Sequence, residues 1–452
     1  MRKVLIANRG EIARRIIRTC KAEGIGTVAV YSDADRDLPF VREADEAVHI
    51  GPPPVPHSYL NAEAIIKAAK STGADAIHPG YGLLSENEAF ARRVQEEGIV
   101  FIGPAPEVIG QMGDKLTARR VMLAAGVPVV PGCEEPAATV DEAAGVAASI
   151  GYPVMLKASA GGGGIGMQIC RDEDSLRQAY QSLRSRAKAY FGNDAMYVEK
   201  YVERPRHIEV QIAGDQHGTV LHLLERECSI QRRHQKVLEE SPSPFLDAKT
   251  RERLCQSAVR AAEAVGYTGV GTVEFIVDED KNFYFLEMNT RLQVEHPVTE
   301  EMTGLDLVLL QLAIAKGEPL SIGQADVQAK RHAIELRVYA EDPVSFLPSP
   351  GTITLYQPPE MEHVRIDDGV ESGAQVTPFY DPMIAKVIIS GQTREEALQR
   401  AAEAMRNFQI VGIKTNIPFL REVLADERFR QGNYTTWFVQ ERAAKSSNEI
   451  QA

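Results

Sequence analysis

Residues 283–301 read FYFLEMNTRLQVEHPVTEE. The opening of this run interleaves apolar residues with hard oxygen donors. That pattern predicts a strand with Phe283, Phe285, Glu287 and Asn289 on one face and Tyr284, Leu286 and Met288 on the other. Residues 272–277 (TVEFIV) predict a second strand, and the polar residues 278–282 between them predict a hairpin loop. Symmetric pairing sets Glu274 opposite Glu287. Like carboxylates facing one another across strands repel unless something neutralises them. With the Asn289 amide they form an oxygen-only donor set, which Mg²⁺ takes together with substrate phosphate. The hairpin therefore predicts a magnesium nucleotide site. The alternative is a pair of solvent-facing glutamates, and the neighbouring Phe283 and Phe285 argue against it.

At 452 residues the chain predicts about two to four domains. Its 44% hydrophobic and 25% charged content is globular rather than disordered. No apolar run is long enough to span a bilayer, and residues 1–9 (MRKVLIANR) are too short for a signal peptide, so a cytoplasmic location is expected. The cysteines Cys20, Cys133, Cys170, Cys228 and Cys255 show no paired spacing, which predicts reduced thiols in small apolar slots. The net charge of −13 opposes nonspecific binding to nucleic acid, so an anionic substrate must be held by local positive charge.

The first hundred residues predict a doubly wound parallel sheet. Strands are expected at 3–8, 27–31, 76–78 and 100–102, with helices at 11–23, 63–70 and 88–97. Arg9-Gly10-Glu11 and Pro79-Gly80-Tyr81-Gly82 then lie at the carboxyl ends of strands, where such sheets bind ligands. Two short helices follow, the second at 115–125, then an amphipathic helix at 140–150 and a strand at 153–158. From about residue 206 the chain is rich in β-branched strands.

Ser159-Ala160-Gly161-Gly162-Gly163-Gly164-Ile165-Gly166 matches G-x-G-x-x-G formally, but residues 167–170 predict a returning strand rather than a helix. Strand, glycine tip and strand make a flap whose bare backbone N–H groups can close over phosphate, with Lys157 supplying charge. A plain surface hairpin is the alternative. Four consecutive glycines carry a large chain-entropy cost for so small a role. The run Gln231-Arg232-Arg233-His234-Gln235-Lys236 is the densest basic stretch of an acidic chain and is expected to face an anion.

In order, IANRGEIA from Ile6, HPGYGLLSEN from His78, MGDK from Met112, ERECSIQRRHQK from Glu225, EMNTRLQVEHPVTE from Glu287 and AEDP from Ala340 resemble the biotin carboxylases of the ATP-grasp superfamily. The resemblance extends past Gly412-Ile413-Lys414-Thr415-Asn416 and covers almost the whole chain. It implies an α/β and α+β multidomain ATP-grasp enzyme. Residues 1–113 would form a Rossmann-like N-terminal domain, 114–202 linker helices and a glycine-flap lid, and 203–447 a large mixed β-rich portion.

The implied reaction is ATP- and bicarbonate-dependent carboxylation of biotin on a carrier protein through carboxyphosphate. It is the first half-reaction of acetyl-CoA carboxylase, and so of fatty acid biosynthesis, or of a related acyl-CoA carboxylase. Carried over by position, Glu274, Glu287 and Asn289 would ligate Mg²⁺ or Mn²⁺. Lys115, Lys157, His207, His234 and the flap glycines Gly162, Gly163, Gly164 and Gly166 would contact ATP phosphates, and Glu199, Lys200 and Val202 the adenine side. Arg291, Gln293 and the Val294 amide would hold bicarbonate, with Glu295 as its base and Lys236 at the carboxyphosphate end. Arg337 would stabilise the biotin enolate, with Tyr81 and Gly82 beside the ring.

A salt bridge from Glu295 to Arg291 is a structural alternative to its catalytic role. The pattern departs from the family at Ala160 and Ile165 in the flap, and at Ala22 and Glu362 near the expected homodimer contacts Arg18 and Arg365. With no Ala-Met-Lys-Met segment or transferase region after Trp437, the chain is expected to work with separate carrier and carboxyltransferase subunits. Competing readings are another ATP-grasp carboxylate-amine ligase and a catalytically silent nucleotide-binding subunit.

Overall fold

The computed structural model describes residues 1–158, 167–191 and 194–451. Gly162, Gly163, Gly164 and Gly166, and the departures Ala160 and Ile165, lie outside the described residues. Among the described residues no helix is long and apolar enough to cross a membrane.

The N-terminal sheet has five parallel strands in the order Glu46–Gly51, Gly26–Ser32, Lys3–Ile6, Ala76–His78, Val100–Phe101. Helix Gly10–Ala22 buries Ile12, Ala13, Ile16 and Ile17, the spacing of a single apolar stripe. Asn61 and Asn87 cap helices Ala62–Thr72 and Glu88–Glu96 by accepting from the Ala64 and Phe90 amides. Strand Glu46–Gly51 escaped the sequence reading because it is an edge strand in which only Ile50 is buried. The turn after Ala76–His78 is fixed from below, where Asn8 Nδ2 donates to the Pro79 and Tyr81 carbonyls at 2.8 Å. Gly80 has φ +62°, and a Cβ there would meet the Asn8 side chain at 2.8 Å, so this turn needs glycine twice over.

A separate three-stranded antiparallel sheet sets Val154–Ala158 between Met167–Cys170 and Met196–Lys200. Helices Val140–Ile150 and Glu173–Phe191 cover it, burying Ala143, Ala147, Leu176, Tyr180 and Leu183 against Val154, Leu156 and Val198. The long helix Glu173–Phe191 was not anticipated, because charged residues dominate it and thin its apolar stripe.

The third sheet is antiparallel with eight strands: Phe283–Asn289, Gly269–Val277, Arg206–Gly214, Val220–Arg232, Gln235–Ser241, His332–Tyr339, Met383–Gly391 and Val364–Asp368. In strand Arg206–Gly214, Ile208, Val210 and Ile212 point into a core shared with helix Ala248–Ala264. His207, Glu209 and Gln211 alternate with them and are also buried.

The predicted face assignment of residues 283–289 needs correction. Val277 pairs with Phe283 and Phe275 with Phe285, but Glu274 pairs with Glu287, so a β-bulge accommodates one extra residue. Phe283, Phe285 and Met288 therefore share the core with Val273, Phe275 and Val277, and the Phe275 and Phe283 rings meet edge to face at 5.6 Å. Leu286 is left 45% exposed. The glutamates do face each other, through the bulge rather than through symmetric pairing.

Candidate active site

One row of charge crosses four adjacent strands: Arg226 pairs with Glu209, Glu209 with Glu274, and Glu274 with Glu287. A second row sets Gln211 beside Thr272 and Asn289. Arg226, fully buried, donates from Nε to Glu209 (2.6 Å) and from its terminal nitrogens to Gln211 (2.5 Å), Thr272 (3.0 Å), Thr299 (3.0 Å) and Gln293 (2.7 Å). It neutralises one end of the row and holds Gln293 in place.

Lys236 reaches the middle. Its ammonium donates to Glu209 (2.6 Å), Glu274 (2.9 Å) and Glu295 (2.7 Å). Burial pushes this lysine down, but the three carboxylates override it and hold its pKa well above the ordinary range. Burial likewise pushes Glu274 and Glu295 up, and is outweighed by Lys236 with His207 for the first and Lys236 with Arg337 for the second; both stay well below the usual carboxylate range. Arg337 completes the centre, donating to Glu295 Oε2 at 2.9 Å and lying 2.5 Å from Glu239 Oε1. The fully buried Glu239 is pushed up to about 7, chiefly by burial.

The proposed metal ligands are brought together. Asn289 Nδ2 and Gln293 Nε2 donate to Glu274 Oε1 at 2.8 and 2.7 Å, and His207 Nε2 stands 2.7 Å from Glu274 Oε2. The Glu287 carboxylate makes no hydrogen bond or ion pair among the described residues, and burial followed by the Glu274 charge pushes its carboxyl up. Adjacent oxygen donors, one of them unpartnered, fit a hard divalent cation. His207 and Glu209 extend the set, since His207, Glu209 and Glu274 offer ligand atoms within 4.8 Å of one another.

Arg291 lies beside this centre, but its partner is not Glu295. It donates from Nε to Glu86 at 2.8 Å and from Nη2 to Asn289 Oδ1 at 3.0 Å, which corrects the alternative pairing. The Val294 carbonyl accepts from the fully buried Lys386 at 2.8 Å. Tyr81 hydrogen-bonds Glu11, and Gly82 follows it with φ +63°.

Other expected contacts lie further out. Lys115 is exposed at the start of helix Lys115–Ala124. Lys157 and Glu199 pair with each other at 2.6 Å across neighbouring strands. Lys200 donates to the Gly151 and Tyr152 carbonyls, so its ammonium tethers a turn. Val202 lines a cavity of about 560 Å³ together with Tyr201, Phe245, Asp278 and Tyr284.

The basic run at 231–236 is a tight hairpin with Arg233 and His234 exposed at its tip, both at positive φ (50° and 67°). Of that run Lys236 enters the centre and the buried Gln231 reaches its edge, its Nε2 lying 3.0 Å from His207 Nδ1, while Arg232 pairs with Glu341. Cys228 does not sit in an apolar slot as predicted. Its thiol is grouped with the Glu209 and Glu295 carboxylates, and burial with those charges raises it well above its ordinary range. Sequence reasoning missed Glu209, Arg226, Glu239, Glu86 and Lys386, and named Glu11 only as part of the loop Arg9-Gly10-Glu11. A usable signal existed for Glu209, whose strand alternates polar and apolar residues strictly from His207 to Ile212.

Three family models tile the chain. The model described as Biotin carboxylase, N-terminal domain matches residues 1–109, Carbamoyl-phosphate synthase L chain, ATP binding domain matches 114–323, and Biotin carboxylase C-terminal domain matches 335–441. Biotin carboxylase 2 of Bacillus subtilis is 59% identical over 97% of this chain and 99% of its own length. The human mitochondrial propionyl-CoA carboxylase alpha chain is 52% identical over 97% of this chain, which spans 60% of that relative. Among solved structures, a biotin carboxylase beta-gamma-ATP complex from Campylobacter jejuni superposes with TM-score 0.91 at 46% identity, covering 97% of this chain and 98% of its own. The biotin carboxylase domain dimer of Hydrogenobacter thermophilus 2-oxoglutarate carboxylase, with MgADP, ADP and bicarbonate, superposes with TM-score 0.89 at 49% identity, covering 97% of each chain.

Proposed function

The chain belongs to the biotin carboxylase family of ATP-dependent ligases, and we propose that the buried centre around Lys236 carries the ATP- and bicarbonate-dependent carboxylation of biotin. The observation that supports these roles most is the double grip on Glu295, by Lys236 on one oxygen and Arg337 on the other.

Bicarbonate is a poor nucleophile until a base takes its proton, and Glu295, held between two cations, would be that base. Arg291 and Gln293, held by Glu86 and Arg226, would orient the anion with the Val294 amide. Glu274, Glu287 and Asn289 would hold magnesium, which when bound neutralises the phosphate charge. Lys236 would shift from its carboxylates onto the carboxyphosphate end, positioning and charge being most of what phosphoryl transfer asks of a protein. Arg337, which cannot lose its proton, would then stabilise the biotin enolate beside Tyr81 and Gly82. Lys115, Lys157, His207 and His234 remain proposed phosphate contacts, and Glu199, Lys200 and Val202 the adenine side.

The biotin would arrive on a carrier protein, with carboxyltransferase subunits taking the carboxyl group onward. Support comes from relatives that carry the names of pyruvate carboxylase and propionyl-CoA carboxylase chains. A homodimer is proposed on the same footing, the Hydrogenobacter domain being a dimer.

ADP release measured with ATP, bicarbonate and either free biotin or biotinylated carrier protein tests the reading. It should require bicarbonate and rise with biotin. Turnover that ignores both and follows another carboxylate and an amine would favour a different ATP-grasp ligase. Nucleotide binding without turnover would make the chain a silent subunit.

A further inference from the structure

Lys386, with no exposed surface, lies in the eight-stranded sheet next to Arg337 on one neighbouring strand and Asp367 on the other. Its ammonium makes two contacts in opposite directions. One is a 2.8 Å hydrogen bond to the Val294 carbonyl, in the segment between Gln293 and Glu295. The other is a 3.2 Å ion pair with Glu11 Oε2, at the first turn of helix Gly10–Ala22. The second Glu11 oxygen accepts from the Tyr81 hydroxyl. The chain Val294, Lys386, Glu11, Tyr81 thus joins the proposed bicarbonate segment to the proposed biotin-ring turn through two side chains that are themselves 0% and 5% exposed.

The junction has no slack. A Cβ at Gly369 would stand 2.8 Å from the Glu11 amide, so the C-terminal strands and the N-terminal helix meet at backbone contact. A buried ion pair is a weak source of stability compared with apolar residues of the same volume. Its geometry here is better matched to holding two loops in register than to holding the core together.

We propose that Lys386 and Glu11 are positioning residues of the carboxylation site, a buried ion pair that fixes the Val294 peptide and the Tyr81 hydroxyl relative to each other. The inference rests on the proposed function, and takes from it that both ends bear substrate. Neither residue touches the reacting atoms. Their work is to keep the carboxyl source and the ureido ring of biotin at a fixed separation, where a displacement of about 1 Å costs on the order of 10²-fold in rate.

The test compares Lys386→Met, Glu11→Gln and the double variant by thermal unfolding and by steady-state kinetics with ATP, bicarbonate and free biotin. Lys386→Met alone leaves a buried carboxylate uncompensated and should lower the unfolding midpoint, which the double variant should restore. The double variant should still lose about 10²-fold in kcat/KM for biotin while its KM for ATP stays within about twofold. Recovery of stability and biotin kinetics together would show a purely structural pair and overturn the inference, as would a parallel loss of ATP affinity. If Lys386→Met folds in neither background, Glu11→Gln carries the test alone: unchanged biotin kinetics would overturn the proposal and a selective loss support it. Absence of bicarbonate-dependent turnover in the unaltered chain would instead remove the proposed function itself.

Discussion

Glu295 has both oxygens taken by cations, and Lys236 and Arg337 hold its carboxyl well below the ordinary range against the effect of burial. A carboxylate so stabilised is a weak base. If Lys236 turns to an incoming phosphate and Arg337 to the biotin enolate, both grips loosen and Glu295 becomes more basic only with substrates in place. Because kcat/KM reports the free enzyme and kcat the complex, the acid limb of kcat should lie at higher pH than that of kcat/KM for bicarbonate, with substrate counted as the bicarbonate anion present at each pH. Glu295→Gln should remove the limb together with most of the turnover. Coincident limbs in the unaltered protein would mean that the two cations never let go. Arg337→Ala should split the reaction: slow bicarbonate-dependent ATP cleavage without biotin persists, while biotin carboxylation falls by about 10²-fold or more. Equal losses in both assays would move Arg337 to the phosphate side. At this scale the contiguous run around Asn289 to Glu295 was legible in the sequence, because its residue types are unusual side by side. Glu209, Arg226 and Glu239 were not. Glu209 sits in a strand that alternates like any solvent-facing one, while Arg226 and Glu239 sit in runs of consecutive charge, Glu225-Arg226-Glu227 and Glu239-Glu240, that read as exposed; only the covering of the whole sheet turns these polar residues into a buried site.

At the scale of the element, the decisive feature is the bulge between Glu274 and Phe275 on one strand and Glu287 and Phe285 on the other. It lets aromatic residues fill the core while the next acidic residue faces the site. Strict alternation would give Phe285 and Glu287 the same surroundings, and the sequence carries no glycine or proline to mark the extra residue. The bulge separates the consequences of two adjacent substitutions. Phe285→Ala removes a ring from the core shared with Val273 and Phe275 and should destabilise the protein by about 3–5 kcal/mol. Leu286→Ser, at a position 45% exposed, should stay within about 0.5 kcal/mol. Denaturant titration of both variants checks this. Comparable losses would mean that Leu286 packs inward and that the strand is regular. The basic hairpin at 231–236 shows the same limit, since its tight turn with two positive φ residues could not be read from Arg233-His234 where Asn-Gly would be ordinary.

At the scale of the molecule, Glu240 binds distant parts of the C-terminal portion together. It is fully buried on strand Gln235–Ser241 and accepts from His332 Nε2 at 2.7 Å on the next strand, from Arg394 at 2.7 and 3.0 Å at the start of a helix, and from the Tyr434 hydroxyl. Arg394 passes the connection on to the Phe429 and Arg430 carbonyls, so one carboxylate fastens two strands and the segment from Phe429 to Tyr434. Burial pushes its pKa up, but His332 and Arg394 outweigh burial and bring it from its ordinary 4.5 down to about 2. The folded-state value lies below the unfolded one, so the stability Glu240 contributes is complete above about pH 4.5 and is lost as pH falls toward about 2. Glu227 and Glu239 act in the opposite sense. Burial raises both to about 7, so what their protonated forms contribute is present below about pH 4.5 and lost as pH rises through about 7. Glu240→Gln should therefore cost about 3–5 kcal/mol at neutral pH and leave a shallower fall in stability on acidification. Denaturant midpoints measured across the acid range check both parts. A variant that loses stability at neutral pH but keeps the full acid slope would show that other carboxylates set the acid limit and that Glu240 serves only as a mechanical clasp.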